Sequence, residues 1–295
     1  MILVTGASGL VGGEIVRQLS SQRVPVRALV RDPGRAPQLG ALPDVEVAIG
    51  DLGRPDTLGQ ALGDVEQAVL ISSADASMAD VQSSFIDAAA KASVPHVVKL
   101  SGIMPAPDSP FRFARMHAEV EEHLAASGMT FTILRAGEFM QAYFRQVPNI
   151  VARHQLLLPM AGQRIASIDI ADIAAVAVRV LTGTGHDNQT YPITGPQALS
   201  MSEVAAILSD ATGTTIRYVD VPPEVARQAQ LSAGMSPYLA DALAELYAER
   251  RAGKESRVSD LTPALLGRPP ASFAEFAARN AATFQGRQPD RGAFR

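Results

Sequence analysis

The stretch VTGASGLVG, residues 4–12, constrains the fold more than any other part of the chain. Gly6, Gly9 and Gly12 stand at G-x-x-G-x-x-G spacing. They follow the β-branched run MILVT and open LVGGEIVRQLSS, whose apolar residues recur at helical intervals. The order reads as a buried strand, a tight turn and a helix. Glycines at the turn let the backbone bend sharply and approach a ligand closely. The helix start adds unpaired N–H groups and the positive end of its dipole, a combination suited to a pyrophosphate. A glycine-rich turn without a ligand is the bland alternative. The position after the first strand of an alternating chain favours binding.

The alternation continues. VRALV (26–30), VEVAI (45–49), AVLIS (68–72), HVVKLS (96–101) and FTILR (131–135) read as further strands, separated by amphipathic stretches. In 78–92, Met78, Val81, Phe85, Ala89 and Ala92 fall on one helical face. Strand and helix in regular turn require a parallel sheet with crossover helices on both faces. The expected fold is therefore α/β, a doubly wound parallel Rossmann sheet with a smaller, mostly helical C-terminal lobe for substrate. Residues 1–150 are assigned to the nucleotide-binding domain and 151–295 mainly to the lobe, with about 166–195 returning to the sheet. Within the second half, YPITGP reads as a strand and turn. MSEVAAILSDATG reads as a helix capped by Ser200 or Ser202 and stopped at Gly213, and TIRYVDVPP as a strand ended by prolines.

Composition removes several function classes. The 295 residues are 47% hydrophobic, enough for a large core. A formal charge of −4 argues against a broad nucleic-acid footprint. With no cysteine, disulfides, iron–sulfur sites and thiol nucleophiles are excluded. The first residues lack a basic region ahead of their apolar start and are not expected to form a signal peptide. No stretch approaches the ~20 apolar residues of a bilayer span. A soluble, cytoplasmic protein that engages neither membrane nor nucleic acid is expected. Walker loops, G-x-S-x-G elbows and metal-spaced histidine pairs are missing, which disfavours ATPase, hydrolase and metalloenzyme chemistry.

The end of the second strand discriminates between nucleotides. An acidic residue there suits the ribose hydroxyls of NAD, and an arginine suits the 2′-phosphate of NADP. The chain offers LVRDP, with Arg31, then Asp32, and Arg35 close by. The planar guanidinium matches phosphate well, so NADP(H) is favoured, while Asp32 leaves NAD(H) open. Asp51 and Leu52 after the third strand, and Ser72 and Ser73 after the fourth, stand at carboxyl ends of strands, the edge along which such sheets bind ligands. An adenine contact from Asp51 competes with simple capping of the next turn.

With TGASGLVG, RALVRDP, GDL and LISS in this order, the chain resembles the NmrA-like branch of the atypical short-chain dehydrogenases/reductases. The stretches at 117–141, 166–181 and 191–208 and the C-terminal GRPPASFAEFAARNAATF extend the likeness over nearly the whole chain. The resemblance implies that Gly6, Ala7, Ser8, Gly9, Leu10 and Val11 hold the pyrophosphate and that Arg31 holds the 2′-phosphate. It also implies that Ser73 lines the cofactor cleft. Ala136, Gly137, Glu138, Phe139, Met140 and Gln141 would then surround the nicotinamide end. Members include NADPH-dependent quinone and triphenylmethane reductases, and also redox sensors that bind the nucleotide and regulate a partner.

Typical short-chain dehydrogenases pair a serine with Tyr-x-x-x-Lys on a helix. Ser101 fills the serine's place, but the matching stretch reads FARMH, with Phe113 and His117 where tyrosine and lysine would stand. This disfavours tyrosine-driven alcohol oxidation and leaves direct hydride transfer open, because a quinone or conjugated acceptor accepts hydride without it. His117 shares a helical face with Phe113, Val120 and Leu124. It reads either as a buried histidine satisfied by a backbone group, or as a ribose contact or proton donor. Glu119, Glu121 and Glu122 read as a mostly solvated face, with Glu121 able to brace the helix. Phe139, Met140 and Tyr143 read either as ordinary core or as an apolar lid for a flat acceptor, with Phe139 and Tyr143 as substrate contacts. Arg135 reads as structural or as an anion anchor. Ile170 stands where some reductases of the branch carry arginine, and Asp172 reads as a helix brace. The leading expectation is a reductase that passes hydride from NADPH to a quinone-like small molecule, with catalytic candidates His117 and Ser101. A non-enzymatic NADP(H) sensor with a protein partner is the alternative, a nucleotide-sugar epimerase or reductase ranks behind it, and self-association stays open.

Overall fold

The computed structural model describes residues 1–254 and 256–287. Along the chain run β1 (Ile2–Val4), α1 (Leu10–Ser21), β2 (Val26–Val30), β3 (Val45–Ile49), β4 (Gln67–Leu70), α2 (Met78–Lys91), β5 (His96–Gly102), α3 (Arg112–Ala126) and β6 (Thr130–Ala136). There follow α4 (Val147–Arg153), β7 (Gln155–Leu158), β8 (Arg164–Ile165), α5 (Ile170–Thr182), β9 (Gln189–Ile193), β10 (Leu199–Ser200), α6 (Met201–Thr212) and β11 (Arg217–Asp220). The last elements are α7 (Pro223–Ser232), α8 (Pro237–Arg251), α9 (Leu261–Leu266), α10 (Phe273–Arg279) and α11 (Ala281–Phe284).

Two compact units divide the chain. The first contains Met1–Ser109, Phe113–Arg135 and Ile170–Pro192. Its seven-stranded sheet has the order β3-β2-β1-β4-β5-β6-β9. The β1–β2, β1–β4, β2–β3 and β4–β5 pairs are parallel, with registers such as Val4↔Val69 and Leu70↔Lys99. The order reverses beside β1, the switch point at which a doubly wound sheet opens a crevice at its carboxyl edge. Helices α2 and α3 share a core with Leu3, Leu70 and Val97, to which Phe85, Ile86, Val120 and Leu124 contribute. Helix α1 packs on α5, where Gln18 donates to the Ala171 carbonyl at 3.0 Å.

Two details depart from the sequence reading. The fourth strand ends at Leu70, because Ile71 is already committed to the Thr5 hydroxyl. The inner face of α2 carries Met78, Gln82, Phe85, Ile86 and Ala89, while Ala92 is its exposed C-cap. A polar Gln82 stands in that face because its amide donates to Ser72 Oγ at 2.8 Å.

The second unit contains Pro110–Arg112, Ala136–Asp169 and Ile193–Arg295, of which residues 255 and 288–295 are not described. The boundary thus falls between Arg135 and Ala136 rather than near residue 150, because Met140 and Tyr143, just beyond β6, are already core residues of this unit. Its core gathers Met140, Tyr143, Leu156, Met201, Phe273, Phe276 and Phe284. The rings of Tyr143 and Phe273 meet edge to face at 5.0 Å, a favoured aromatic geometry. Helix α6 starts in a capping box between Ser200 and Glu203 and stops at left-handed Gly213. The same box, from Ser272 and Glu275, starts α10. Strand β7 pairs with β11 in parallel, and β8 with β10 antiparallel.

Candidate functional site

The glycine loop is held open by backbone geometry. Thr5, fully buried, ties the end of β1 to the residue that follows β4 by donating to the Ile71 carbonyl at 2.7 Å and accepting from its N–H at 2.8 Å. Gly6 then turns with φ +61°, a conformation that disfavours side chains. A Cβ at Gly12 would lie 2.3 Å from the Gly6 carbonyl oxygen, so the helix approaches the loop as closely as glycine alone permits. Gly9 is the N-cap of α1 and supplies no side-chain cap, and the first turn holds no acidic residue. Its positive end is therefore compensated by neither a cap side chain nor a first-turn carboxylate. Ser8, Gly9 and Leu10 are exposed, while Ala7 and Val11 anchor the loop from below at 1% and 6% exposure. This cradle fits a pyrophosphate.

Arg31 is exposed at the end of β2. Asp32 is turned to a local task, capping the 3-10 turn Pro33–Arg35 by accepting from the Gly34 N–H at 2.9 Å. That leaves Arg31 as the group there that matches a nucleotide phosphate; the side chain of Arg35 lies outside those described. Asp51 likewise caps, accepting from Gly53 N–H at 3.0 Å, with Leu52 half-buried beside it. Ser72 donates to the Ser73 carbonyl at 3.2 Å, and Ser73 is exposed.

A buried polar cluster stands between β5 and α3. Lys99 and Ser101, two apart on β5, share one face of the sheet, and His117 and Glu121, one turn apart on α3, meet them. Lys99 has no exposed surface, and its Nζ lies 3.0 Å from His117 Nδ1. Burial pushes the lysine down to about 7, with Glu121 opposing and Arg135 adding to that shift. Burial, and then the Lys99 charge, hold His117 well below the usual histidine value. His117 is thus satisfied by a lysine side chain and not by a backbone group.

The other half of the cluster corrects the expectation for Ser101 and decides between the two readings of Glu121. Ser101 donates its hydroxyl proton to Glu121 Oε1 at 2.6 Å, and Glu121 is also paired with Arg135 at 2.5 Å. A serine 4% exposed and committed in this way braces the sheet to the helix; it does not offer a free hydroxyl to a substrate. Glu121 is 7% exposed and belongs to no solvated face. Arg135 is its structural partner.

The stretch read as the nicotinamide end lies in the second unit. Gly137 donates to the Ile193 carbonyl at 2.9 Å, and a Cβ on it would come within 3.0 Å of the Ala166 carbonyl. Glu138 pairs with buried Arg250 at 3.0 Å, and Gln141 donates to Asp169 Oδ1 at 2.7 Å. Phe139 bridges to Ile168, and the Met140 N–H donates to the Ile168 carbonyl at 2.9 Å. Ala136 is buried. Tyr143 is 3% exposed, against Phe273 and Met201, so it packs the core and forms no lid. Burial pushes its phenol up, away from acid–base use. Met140, at 1% exposure, is core as well. Ile170 and Asp172 are buried in the first turn of α5.

Lys99 is the residue that sequence reasoning passed over. Its signal was visible: a lysine inside HVVKLS, an otherwise apolar strand of a sheet covered on both faces.

A doubly wound sheet whose first turn is an uncapped glycine cradle defines a Rossmann-type dinucleotide-binding protein. The chain belongs to the NmrA-like family, whose sequence model matches residues 1–264. It is 43% identical over 284 residues to the NAD(P)H azoreductase of Xenophilus azovorans, covering 96% of this chain and 99% of that one. It is 32% identical to quinone oxidoreductase 2 of Escherichia coli, covering 93% and 96%. Among solved structures, the NADPH complex of the Escherichia coli NADPH-dependent quinone oxidoreductase superposes with a TM-score of 0.86 at 31% identity, covering 95% of this chain and 99% of that one. The NADP(H) complex of Citrobacter sp. triphenylmethane reductase also gives 0.86, at 26% identity, covering 95% and 100%.

Proposed function

We propose that the protein is an NAD(P)H-dependent oxidoreductase, with NADPH preferred, that reduces quinones or dye-like conjugated small molecules. The observation that carries this reading is the uncapped cradle at Gly6, Gly9 and Gly12 followed by the exposed Arg31, in a chain whose full-length relatives include a named azoreductase and a named quinone oxidoreductase. The loop N–H groups of residues 6–11 would hold the pyrophosphate and Arg31 the 2′-phosphate. Asp51, Leu52, Ser72 and Ser73 would border the nucleotide. A reduced nicotinamide, when bound, supplies a hydride.

The chain's own task is to orient the reactants and to provide a proton. A hydride taken up by a quinone leaves an oxyanion, so no tyrosine is required to polarise a carbonyl beforehand. His117, beside the carboxyl end of β5, is the proposed donor of the proton that neutralises that oxyanion.

The test is NADPH and NADH binding, followed by turnover with a panel of quinones and azo dyes. Tighter binding of NADPH and saturable reduction of an acceptor are expected. NADPH binding without reduction of any acceptor above background would leave a nucleotide-dependent regulator instead. No described helix is long and apolar enough to cross a membrane.

A further inference from the structure

We infer that Lys99 and His117 form a proton relay, in which the Lys99 ammonium supplies, through the His117 imidazole, the proton that a hydride-reduced acceptor takes up. The inference rests on the reductase reading above and names the group that supplies His117 with the proton it gives, which that reading leaves open.

The geometry carries it. An ammonium group has protons to donate and no lone pair to accept with. At 3.0 Å from Lys99 Nζ, His117 Nδ1 must therefore accept, which places the imidazole proton on Nε2. The other contact of Lys99 Nζ is the Leu100 carbonyl at 3.4 Å, and no described carboxylate forms an ion pair with it. The lysine thus extends along β5 toward the strand's end, and the far side of the imidazole rests on Gly102, the last residue of β5. A Cβ at Gly102 would lie 3.0 Å from His117 Cδ2 and 3.5 Å from Nε2, so glycine lets the ring sit this close to the end of the strand, and the His117 residue as a whole is half-buried rather than sealed. The carboxyl end of β5 lies on the edge where parallel sheets of this type bind ligands.

The charges around the pair are few. Glu121 of α3 raises the proton affinity of Lys99, Arg135 of β6 lowers it, and these two are paired with each other. On β4 the residue alongside is Leu70, which is apolar. Burial then sets the balance: Lys99 is held at about 7, and His117 is neutral at that pH. His117 alone therefore has no ionisable proton to give near neutrality. Coupled to Lys99, it has one.

The transfer balances. As the His117 Nε2–H bond breaks, a bond forms between that proton and the acceptor oxyanion. A Lys99 N–H bond breaks in turn, and its proton binds His117 Nδ1. The products are a neutral acceptor, a neutral amine and an imidazole in its other tautomer. Solvent returns one proton to Nε2, and Nδ1 hands its own back to Lys99. No oxidant or reductant is consumed beyond the hydride donor.

A lysine that merely anchors α3 would use the same hydrogen bond without losing its proton. Nitrogen-15 NMR of the histidine-labelled full chain with NADP+ bound separates the two, with H117F assigning the signals. The relay requires His117 to carry its proton on Nε2 at low pH and to shift toward Nδ1 as the pH crosses about 7. The K99M variant should lose that shift. A tautomer constant from about pH 5.5 to about 9 would overturn the relay, and this measurement on the unmodified chain holds even if K99M fails to fold. With a quinone acceptor, kcat should fall above about pH 7 in step with loss of the lysine proton. K99R keeps the cation and the hydrogen bond but does not give up a proton, so it should lower kcat roughly 100-fold at unchanged KM. Wild-type kcat in K99R would overturn the relay. A tautomer shift in a protein that reduces no acceptor would overturn the reductase reading instead; turnover without the shift would overturn the relay alone.

Discussion

Lys99 on β5 reaches His117 on α3 at 3.0 Å, from a position with no exposed surface. Tyr-x-x-x-Lys places both groups on one helix, four residues apart. Here the helix contributes an imidazole, and the lysine comes from the strand beneath it. The departure at FARMH is thus not simply a loss of polar chemistry. It accompanies a different pair in which the two titrating groups belong to different elements and are held together by packing.

Burying that lysine has a thermodynamic consequence. Its value is held at about 7 in the folded chain against the usual 10.5. Between those pH values the unfolded chain binds more protons than the folded one, so stability rises with pH across the window. Urea denaturation should show the rise, and K99M should flatten it and be more stable than wild type at pH 7, provided methionine fills the same space. A wild-type curve that falls from pH 7 to 10 would refute the depressed proton affinity of the buried Lys99.

Glu121 holds Ser101 and Arg135 at once. E121Q keeps the shape and removes the charge, leaving Arg135 without its counterion. Because the Arg135 side chain is 35% exposed, solvent recovers part of the loss, and a cost of about 1–3 kcal/mol is expected by chemical denaturation. Glu121 also raises the proton affinity of Lys99, so in E121Q the alkaline fall in kcat should begin at lower pH. An unmoved pH profile would show that the carboxylate does not act on the lysine.

At Gly12 the constraint is steric. A methyl group would meet the Gly6 carbonyl oxygen at 2.3 Å, and backbone cannot move aside cheaply. Overpacking of this kind costs about 1–3 kcal/mol. G12A should lower Tm and weaken NADPH binding at least about tenfold by fluorescence titration. Unchanged affinity would mean that the nucleotide does not use this loop.

Arg31→Ala should weaken NADPH by about 10- to 100-fold, the worth of hydrogen bonds to a charged group, and leave NADH nearly untouched. Equal losses for the two would sink the 2′-phosphate assignment.

Much of this was legible in the sequence because periodicity and turn chemistry are local. The glycine loop, the strands through FTILR, and the Ser200 and Gly213 helix ends all follow from residues within a few positions of one another. The cluster between β5 and α3 was only half legible. His117 was singled out as inward-facing from its helical spacing, but its partner lies 18 residues away on another element. Glu121 carries a brace reading beside the solvated one it shares with Glu119 and Glu122, and the brace reading holds; a run of acids on one helix does not reveal that its partners are a serine and an arginine on neighbouring strands. Tyr143 carried both a core and a lid reading, and only its contacts with Phe273 and Met201 decide for the core.

The most direct measurement is a single turnover with NADPH deuterated at the transferred position. Enzyme loaded with the labelled or unlabelled cofactor is mixed rapidly with a quinone, and cofactor absorbance is followed. Rapid oxidation that depends on the enzyme, is slower for the deuterated cofactor, and yields one hydroquinone per NADPH is the predicted result. Cofactor that stays bound and reduced in the presence of every quinone and azo dye offered would contradict it.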